Sequence, residues 1–226
     1  MTTFTVMTYN VGNGLARPER LARLLRESDA DLIGLQELTP DQAATLGPEL
    51  RCDYPYQSLH GAGIPGKGLL SRYPVLDATL LDLHPGRPDL RARLKVNGER
   101  LQFLVAHPPP PRLHRRGVKP TPYAQAQLGA LLKLAQSGEP TVLLGDFNMR
   151  DTHTPYDDLV QAGLIDAFRA VGRQGHTFPL RRGSLPLRPL LRLDYIWHTP
   201  HLRALDARIG PDGGSDHLPV LAKLSW

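Results

Sequence analysis

The sequence predicts an α+β fold in which one sheet packs on another and helices lie outside. Short apolar runs of strand length recur along the chain. Helical patterns separate these runs near both ends, whereas roughly 67–106 holds strand-like runs with no helix between them. Strands joined without a helix favour antiparallel pairing. A layered α+β arrangement accommodates both kinds of connection.

Seven runs support the strand prediction, because each is too short for a typical buried helix and rich in aliphatic or aromatic residues. They read FTVMTY (4–9), DLIGLQ (31–36), GLLSRY (68–73), LQFLVAH (101–107), TVLLGDF (141–147), LDYIWHT (193–199) and LPVLAKL (218–224).

Two segments have the 3.6-residue apolar period of a helix packed on one face. Leu21, Leu24 and Leu25 follow Pro18, which suits a first helical turn. The second helix, over 124–135, follows Thr121–Pro122, a pair that favours an N-cap and a first helical residue.

Length and composition indicate one domain spanning residues 1–226. The hydrophobic content of 41% is enough for a substantial core, and no repeat or composition break marks a boundary. The single cysteine, Cys52, excludes an intrachain disulfide framework. No apolar run approaches the roughly 20 residues of a membrane span, and the N-terminus lacks the pattern of an export signal. We therefore expect a cytoplasmic protein without membrane insertion.

The distribution of charge indicates an anionic partner. The net charge is +5, and 22 of the 27 basic residues are arginine. Neither 100–138 nor 167–193 contains an acidic residue, although each contains several basic ones. Such stretches suit nucleic acid, and the alternative interpretation is solvated loops on an arginine-rich protein.

Polar side chains that a core would not favour lie at the ends of the strand-like runs. They are Asn10, Glu37, His107, Asp146, Asn148, Asp194, Asp216 and His217. A lone strand-end Asn or Asp is usually a turn former. Here the eight residues lie at six different strand ends, which points to shared chemistry. Asp146 and Asn148, two apart in an extended segment, are expected to point to the same side.

The residue types match metal-assisted hydrolysis of a phosphate ester. Oxygen donors without cysteine, here Glu37, Asp216 and the amide of Asn10, suit Mg²⁺ or Mn²⁺. Histidines with carboxylate partners suit proton transfer or contact with a charged phosphate. A carboxylate beside the metal orients the attacking water.

In order and spacing, these segments resemble the endonuclease/exonuclease/phosphatase superfamily, the deoxyribonuclease I-like fold. The resemblance spans TYN (8–10), LQE (35–37), GLLSRYPV (68–75), VAH (105–107), GDFNM (145–149), LDYIW (193–197) and SDHLPV (215–220). It implies a four-layer α/β/β/α sandwich with two packed mixed, mainly antiparallel sheets and helices outside.

The resemblance also implies a role for each residue. Glu37 would be the main metal ligand, supported by Asn10 and Asp216. Asp146 would orient or deprotonate the attacking water, while Asn148 would hold a phosphate oxygen or the Asp146 carboxylate.

The remaining implied roles concern the two histidines. His217 would contact the scissile phosphate, with Asp194 hydrogen-bonded behind it to favour its charged form. His107 resembles a histidine that acts as general acid or phosphate ligand in nuclease-type and sphingomyelinase-type members.

The sequence departs from several branches of that superfamily. Gly12 stands where abasic-site endonucleases have an aspartate, and HPPPPR (107–112) replaces their tyrosine-led segment. LRLDYIW (191–197) lacks the inositol-polyphosphate phosphatase motif, and IPGKG (64–68) lacks the deoxyribonuclease I glutamate. GDFNMRD (145–151) is similar to the tyrosyl-DNA phosphodiesterase branch, although the other motifs do not single that branch out.

Three functions are weighed. The leading one is a monomeric, metal-dependent phosphodiesterase acting on nucleic acid, DNA more than RNA. Its candidate substrate-binding residues are Arg112, Arg115, Arg116 and Arg150. The second is a cytosolic phosphoesterase with the same site but a small-molecule or phospholipid headgroup substrate. The third is a non-catalytic binding module, which the complete set of site residues disfavours.

Overall fold

This computed structural model describes residues 2–114, 117–179, 181–182 and 185–226. The described strands are β1 (Thr3–Asn10), β2 (Leu32–Gln36), β3 (Tyr56–His60), β4 (Lys67–Ser71), β5 (Val75–Leu81), β6 (Asp89–Val96), β7 (Glu99–Ala106), β8 (Arg112–His114), β9 (Gly117–Lys119), β10 (Thr141–Asp146), β11 (Ile165–Asp166), β12 (Arg181–Arg182), β13 (Leu185–Pro186), β14 (Asp194–His198), β15 (Arg203–Ile209) and β16 (Val220–Ser225). The described helices are α1 (Pro18–Glu27), α2 (Pro40–Glu49), α3 (Pro122–Ala135), α4 (Thr154–Gln161) and α5 (Ala167–Ala170).

Two six-stranded sheets form the body of the molecule. Their strand orders are β15-β16-β1-β2-β4-β3 and β11-β14-β10-β7-β6-β5. A parallel pair lies at the centre of each sheet, β1 with β2 in the first and β7 with β10 in the second. The other neighbours in both sheets pair antiparallel. The sheets are therefore mixed and mainly antiparallel, as predicted.

Three buried clusters separate four layers. The largest lies between the sheets and joins side chains such as Val6 of β1 to Leu144 of β10. A second cluster packs α1 and α2 on the outer face of the first sheet, and a third packs α3 and α4 on the second sheet. The sheets approach so closely that a Cβ at Gly34 would collide with Leu144. The α/β/β/α sandwich predicted from the sequence is confirmed.

Both predicted helices and all seven predicted strands are present. The Thr121 hydroxyl accepts a hydrogen bond from the Ala124 N–H, which caps α3 at the predicted position. Antiparallel pairing in the middle of the chain holds for β5, β6 and β7. The first strand of that region, β4, also pairs antiparallel, but its neighbours are β2 and β3 of the other sheet.

The central strands position one end of the sandwich for chemistry. Parallel neighbours have their carboxyl ends at the same edge of a sheet. The ends of β1 and β2 in one sheet, and of β7 and β10 in the other, therefore bring four chain segments together across the interface. Among the described residues, no helix has both the length and the apolar character needed to cross a bilayer.

Candidate active site

The polar residues at the ends of the central strands converge. Asn10 ends β1, Glu37 follows β2, His107 follows β7 and Asp146 ends β10. Asp194 begins β14 directly opposite Asp146 in the antiparallel register. The polar ends of the apolar runs are thus explained by topology, because several strands of both sheets meet at this edge.

The Asp146 carboxylate lies at the centre of the cluster. Its Oδ2 accepts a hydrogen bond from Asn10 Nδ2 at 3.0 Å and lies 3.6 Å from the Nε2 atoms of both His107 and His217. Asn10 Nδ2 also donates to Glu37 Oε1 at 3.2 Å, and His107 Nε2 lies 3.7 Å from that oxygen. The Asn10 amide therefore bridges two carboxylates, one from each sheet.

The turn after β10 holds the Asp146 side chain. The Asn148 N–H donates to Asp146 Oδ1 at 2.9 Å, and Asn148 Nδ2 donates to the Pro108 carbonyl at 3.0 Å. Asn148 has a φ of 50°, so the chain leaves the extended conformation after Asp146. The expectation of two side chains on one side of a strand was wrong, because the carboxylate closes a turn instead.

Glu37 also has a left-handed backbone conformation, with a φ of 58°. This conformation costs a non-glycine residue about 1–2 kcal/mol. As a result, the Glu37 side chain does not continue the apolar face of β2 into the core. It lies at the edge of the sheet, where it accepts a hydrogen bond from Asn10. A strained residue of this kind is typical of a functional site.

His217 is held in its charged form by a buried aspartate. Its Nδ1 donates to Asp194 Oδ2 at 2.8 Å, and the Phe178 ring lies 4.6 Å from its ring centroid. Burial alone would lower the pKa of His217. The charges of Asp194 and Asp146 and the hydrogen bond to Asp194 outweigh burial and raise the pKa to about 10. The Nε2–H therefore faces the cluster as a cationic donor.

His107 has the opposite electrostatic character. Its ring is buried, and desolvation together with the charges of Lys67, Arg87 and His217 moves its pKa well below the ordinary value. At neutral pH this imidazole is uncharged. The site thus contains one cationic and one neutral histidine on either side of Asp146.

The carboxylates have raised pKa values. Burial and the neighbouring Asp194 charge raise the pKa of Asp146 to about 7, although His217, Asn148 and Asn10 act in the other direction. Burial, with a contribution from Asp216, raises the pKa of Glu37. Closely spaced oxygen ligands whose negative charge is incompletely balanced fit a divalent cation, since its charge would lower both pKa values.

Two groupings of these residues have the composition of a metal site. The sequence points to Asn10, Glu37 and Asp216, whereas the described atoms that lie within 4.8 Å of one another belong to Asp146, Asp194 and His217. The second group is better described as a carboxylate–histidine pair beside Asp146, because the His217 nitrogen that meets Asp194 is occupied by a proton. The Glu37 side chain is 21% exposed, so an ion from solvent could reach it.

Asp216, like Glu37, is half-buried. Its Oδ1 lies 3.3 Å from the Ser215 hydroxyl oxygen, and its charge raises the pKa of Glu37. The Ser215 hydroxyl donates to the Asn10 carbonyl at 2.7 Å and accepts a hydrogen bond from the His217 N–H at 3.1 Å. This serine, which the sequence reasoning missed, ties the last site segment to the end of β1.

Gly12 explains one departure from the abasic-site endonucleases. Its φ is 71°, and a Cβ there would lie 2.8 Å from Ser215 Oγ and 3.1 Å from Asp216 Oδ1. An aspartate at this position is therefore excluded unless the Ser215–Asp216 segment moves.

A buried charge cluster behind His107 was not predicted. Lys67 is fully buried, and its ammonium donates to the Pro65 carbonyl at 3.1 Å. Asp89 accepts from the His107 N–H at 3.2 Å and from Gln127 Nε2 at 2.7 and 2.9 Å. Burial lowers the pKa of Lys67 to about 8 and raises that of Asp89 to about 6, with each partly offset by attraction to the other. The only sequence signal was a lysine at the start of an apolar strand.

The predicted substrate-binding arginines are less closely tied to the cluster. Arg150 is exposed two residues after Asn148, and Arg112 is exposed in the two-stranded sheet β8–β9. No contact within the described ranges links Arg112 to the site. Arg115 and Arg116 lie outside the described residues.

Comparisons with known proteins agree with the fold and the order of the motifs. The family model described as "Endonuclease/Exonuclease/phosphatase family" matches residues 7–217. The uncharacterized protein YbhP of Escherichia coli strain K12 is 28% identical over 228 residues, with 86% of this chain and 84% of that protein covered. The YbhP protein of Shigella flexneri matches with the same identity and coverage.

Solved structures share the fold at low sequence identity. An endonuclease/exonuclease/phosphatase from Bacteroides vulgatus has a TM-score of 0.79 at 19% identity, with 100% of this chain and 99% of that chain covered. One from Beutenbergia cavernae has a TM-score of 0.78 at 21% identity, covering 99% of this chain and 72% of that one. D. rerio TDP2 complexed with single strand DNA product has a TM-score of 0.75 at 18% identity, with both chains fully covered.

Proposed function

The chain belongs to the endonuclease/exonuclease/phosphatase family, and we propose that it hydrolyses phosphodiester bonds in nucleic acid with Mg²⁺ or Mn²⁺ as cofactor. The observation that supports this best is the position of Asp146. One of its carboxylate oxygens is hydrogen-bonded to Asn10 and lies 3.6 Å from two histidines of opposite protonation state. The family and the acidic cluster support a metal-dependent phosphodiesterase-type hydrolase, and the substrate and ion are our proposal.

Asp146 is suited to take a proton from the attacking water. A general base works best when its pKa is near the working pH, and the pKa of Asp146 is about 7. Asn10 and the Asn148 N–H fix the two carboxylate oxygens. We therefore expect the rate to rise with pH and to level off below about 7 when the cation is bound, because Asp146 must be deprotonated to act and the cation's charge lowers its pKa.

His217 is suited to stabilise the negative charge that develops on the phosphoryl oxygens. Its Nε2–H is cationic, and the Asp194 hydrogen bond fixes the ring orientation. Preorganised charge in a water-poor site is a large contribution to catalysis. Glu37, with support from Asn10 and Asp216, would hold a divalent cation, and such a cation would supply further polarisation of those oxygens.

Charge favours nucleic acid as the substrate. The acid-free stretch 100–138 begins in β7 and continues past His107, and the stretch 167–193 ends immediately before Asp194. A nucleic-acid strand that enters the site would pass both acid-free stretches. Their arginines are well suited to phosphate contacts. D. rerio TDP2, which has the same fold, has been solved with single strand DNA product.

A substrate panel tests this function. Purified protein with Mg²⁺, Mn²⁺, Ca²⁺ or EDTA is assayed on plasmid, single-stranded DNA, RNA, bis-p-nitrophenyl phosphate and sphingomyelin. We expect metal-dependent cleavage of a nucleic acid. Turnover of sphingomyelin without any nucleic-acid cleavage would instead identify the phospholipid headgroup alternative.

Salt dependence provides a second test. If about five phosphates are neutralised, the logarithm of the association constant for duplex DNA falls with the logarithm of salt concentration with a slope of about −4.5. Charge reversal of Arg115 and Arg116 should make the slope shallower. Charge reversal of Lys95 and Arg100, two exposed residues that pair across β6 and β7 at the end away from His107, serves as the matched control. A flat salt response in the parent protein contradicts nucleic-acid binding.

A further inference from the structure

A basic cavity of about 310 Å³ lies next to the candidate active site. Its walls include Arg150, Arg169, Arg173, Arg192, His176 and Leu190. One acidic residue, Asp151, lines the cavity with these four arginines. The site chemistry described above uses none of the four in catalysis, so their concentration around one space requires its own explanation.

Three chain segments run from the wall of the cavity into the candidate site. Arg150 follows Asn148 by two residues, and Arg192 precedes Asp194 by two. Two residues of chain span at most about 7 Å. His176 lies two residues before Phe178, whose ring packs on His217. The cavity wall and the candidate site are therefore built from the same three chain segments.

The arginines differ in how firmly they are held. Arg192 is buried, donates to Asp166 at 2.6 and 3.4 Å, and lies over the Tyr195 ring. Its guanidinium is therefore a fixed part of the wall. Arg169 lies over the Tyr156 ring, with 5.0 Å to the centroid.

The other two arginines are exposed and less constrained. Arg173 reaches Asp206 only at 3.5 Å, with both side chains at least half exposed. Arg150 forms no ion pair with any residue that the structure describes. An exposed ion pair of the Arg173 type is weak, so both guanidiniums are available to an incoming anion.

We propose that this cavity binds a second phosphate group of a nucleotide substrate, the one that neighbours the scissile phosphate. Arginine forks match phosphate oxygens in geometry and charge. Leu190, which is 65% exposed on the cavity wall, offers an apolar surface for the attached nucleoside. Three of the arginines belong to the acid-free stretch 167–193, so phosphate binding in the cavity would account for the excess of positive charge in that stretch.

This inference rests on the proposed nuclease function, and it is tested with thymidine dinucleotides. The substrates are TpT, pTpT and TpTp, which share one diester and differ by a terminal phosphate on either side. We expect one of the two phosphorylated forms to have a kcat/KM at least about tenfold above that of TpT, the value of one charge-assisted hydrogen bond. The preferred form identifies the side of the scissile bond that the cavity serves.

Variants then assign the effect to the cavity. In a protein carrying both Arg150→Gln and Arg173→Gln, the ratio of kcat/KM between the preferred dinucleotide and TpT should fall towards one. Both side chains are exposed, so the fold should survive, and thermal unfolding checks this. A control carrying both Lys95→Gln and Arg100→Gln, two exposed residues that pair across β6 and β7, loses the same two charges far from the cavity and should keep the ratio.

The possible failures are distinguishable. Equal kcat/KM for all three dinucleotides, or a ratio that survives in the double variant, overturns the second phosphate site and leaves the nuclease function standing. Hydrolysis of bis-p-nitrophenyl phosphate without cleavage of any dinucleotide, plasmid, single-stranded DNA or RNA overturns the nuclease function and the phosphate site together, whereas cleavage of the polymers without any dinucleotide overturns only the phosphate site.

Discussion

Replacing Asp194 by asparagine removes the charge behind His217 and keeps nearly the same shape. In the parent protein the pKa of His217 is raised from 6.5 to about 10. That difference corresponds to about 5 kcal/mol of net stabilisation of the charged ring. Without the Asp194 charge, burial is opposed mainly by the charges of Asp146 and Asp216. We expect the pKa of His217 to fall and turnover to drop by roughly 10²–10⁴ at neutral pH.

The assay is an NMR titration of the histidine ring protons between pH 5 and 10.5, with kcat measured on the same samples. Asp77→Asn, an aspartate of the edge strand β5, is the matched control and should change neither quantity. If the pKa of His217 stays at about 10 in Asp194→Asn, the reasoning about its charge is refuted.

The same variant predicts a pH dependence of stability. Because the folded-state pKa of His217 lies above its unfolded value, the charged ring stabilises the fold fully below pH 6.5. That contribution is lost as the pH rises towards about 10. The difference in free energy of unfolding between the parent and Asp194→Asn should therefore shrink across this range, as measured by urea unfolding.

Three further predictions address other parts of the site. Glu37→Ala should weaken Mn²⁺ binding in calorimetry and abolish turnover, whereas unchanged metal affinity removes Glu37 from the ligand set. Gly145→Ala should lower the free energy of unfolding by at least about 3 kcal/mol, because a Cβ there collides with the Ala106 carbonyl, while Gly129→Ala in α3 meets open space and should raise it by about 0.5–1 kcal/mol. His107→Ala should slow a diester with an alkoxide leaving group and one releasing p-nitrophenolate by the same factor, because the neutral His107 ring can contact a phosphate oxygen but is too weak an acid to protonate the leaving group. A loss at least about tenfold greater on the alkoxide substrate would instead identify His107 as the general acid.

Much of the fold follows from local patterns in the sequence. The alternation of apolar runs with amphipathic helices was sufficient to predict the layers, because each pattern has only one way to bury its apolar face. The pairing of β4 was harder. It pairs with β2 and β3 of the first sheet, and nothing in its short apolar sequence distinguishes that sheet from the one that holds β6 and β7.

The candidate site was predictable to the extent that its residues end strands. Asn10, Glu37, His107 and Asp146 could be recognised because a strand end is a position where a polar group has no local reason to be buried. The protonation states of these residues could not be predicted from the sequence. The pKa of His107, for example, depends on the charge of Lys67, forty residues away in sequence. The turn that Asn148 forms also escaped prediction, because a left-handed residue leaves little trace in composition.

Buried charge and cavity shape were beyond sequence reasoning. The charges of Lys67 and Asp89 attract each other, and both residues are buried only because the two sheets pack together. The basic cavity draws its arginines from α5, from the segments beside it and from the end of the GDFNMRD motif. The sequence indicated an excess of positive charge in 167–193 but not that it surrounds one space.

The most direct test of the central claim is cleavage of one end-labelled oligonucleotide by the parent protein and Asp146→Asn, each with Mn²⁺ and with EDTA. The proposed function predicts cleavage by the parent with Mn²⁺ only, and a loss of at least about 10² in rate for Asp146→Asn with the fold intact by circular dichroism. Cleavage that persists in EDTA, or an Asp146→Asn rate equal to that of the parent, would contradict the assignment of this site as a metal-dependent phosphodiesterase centre built around Asp146.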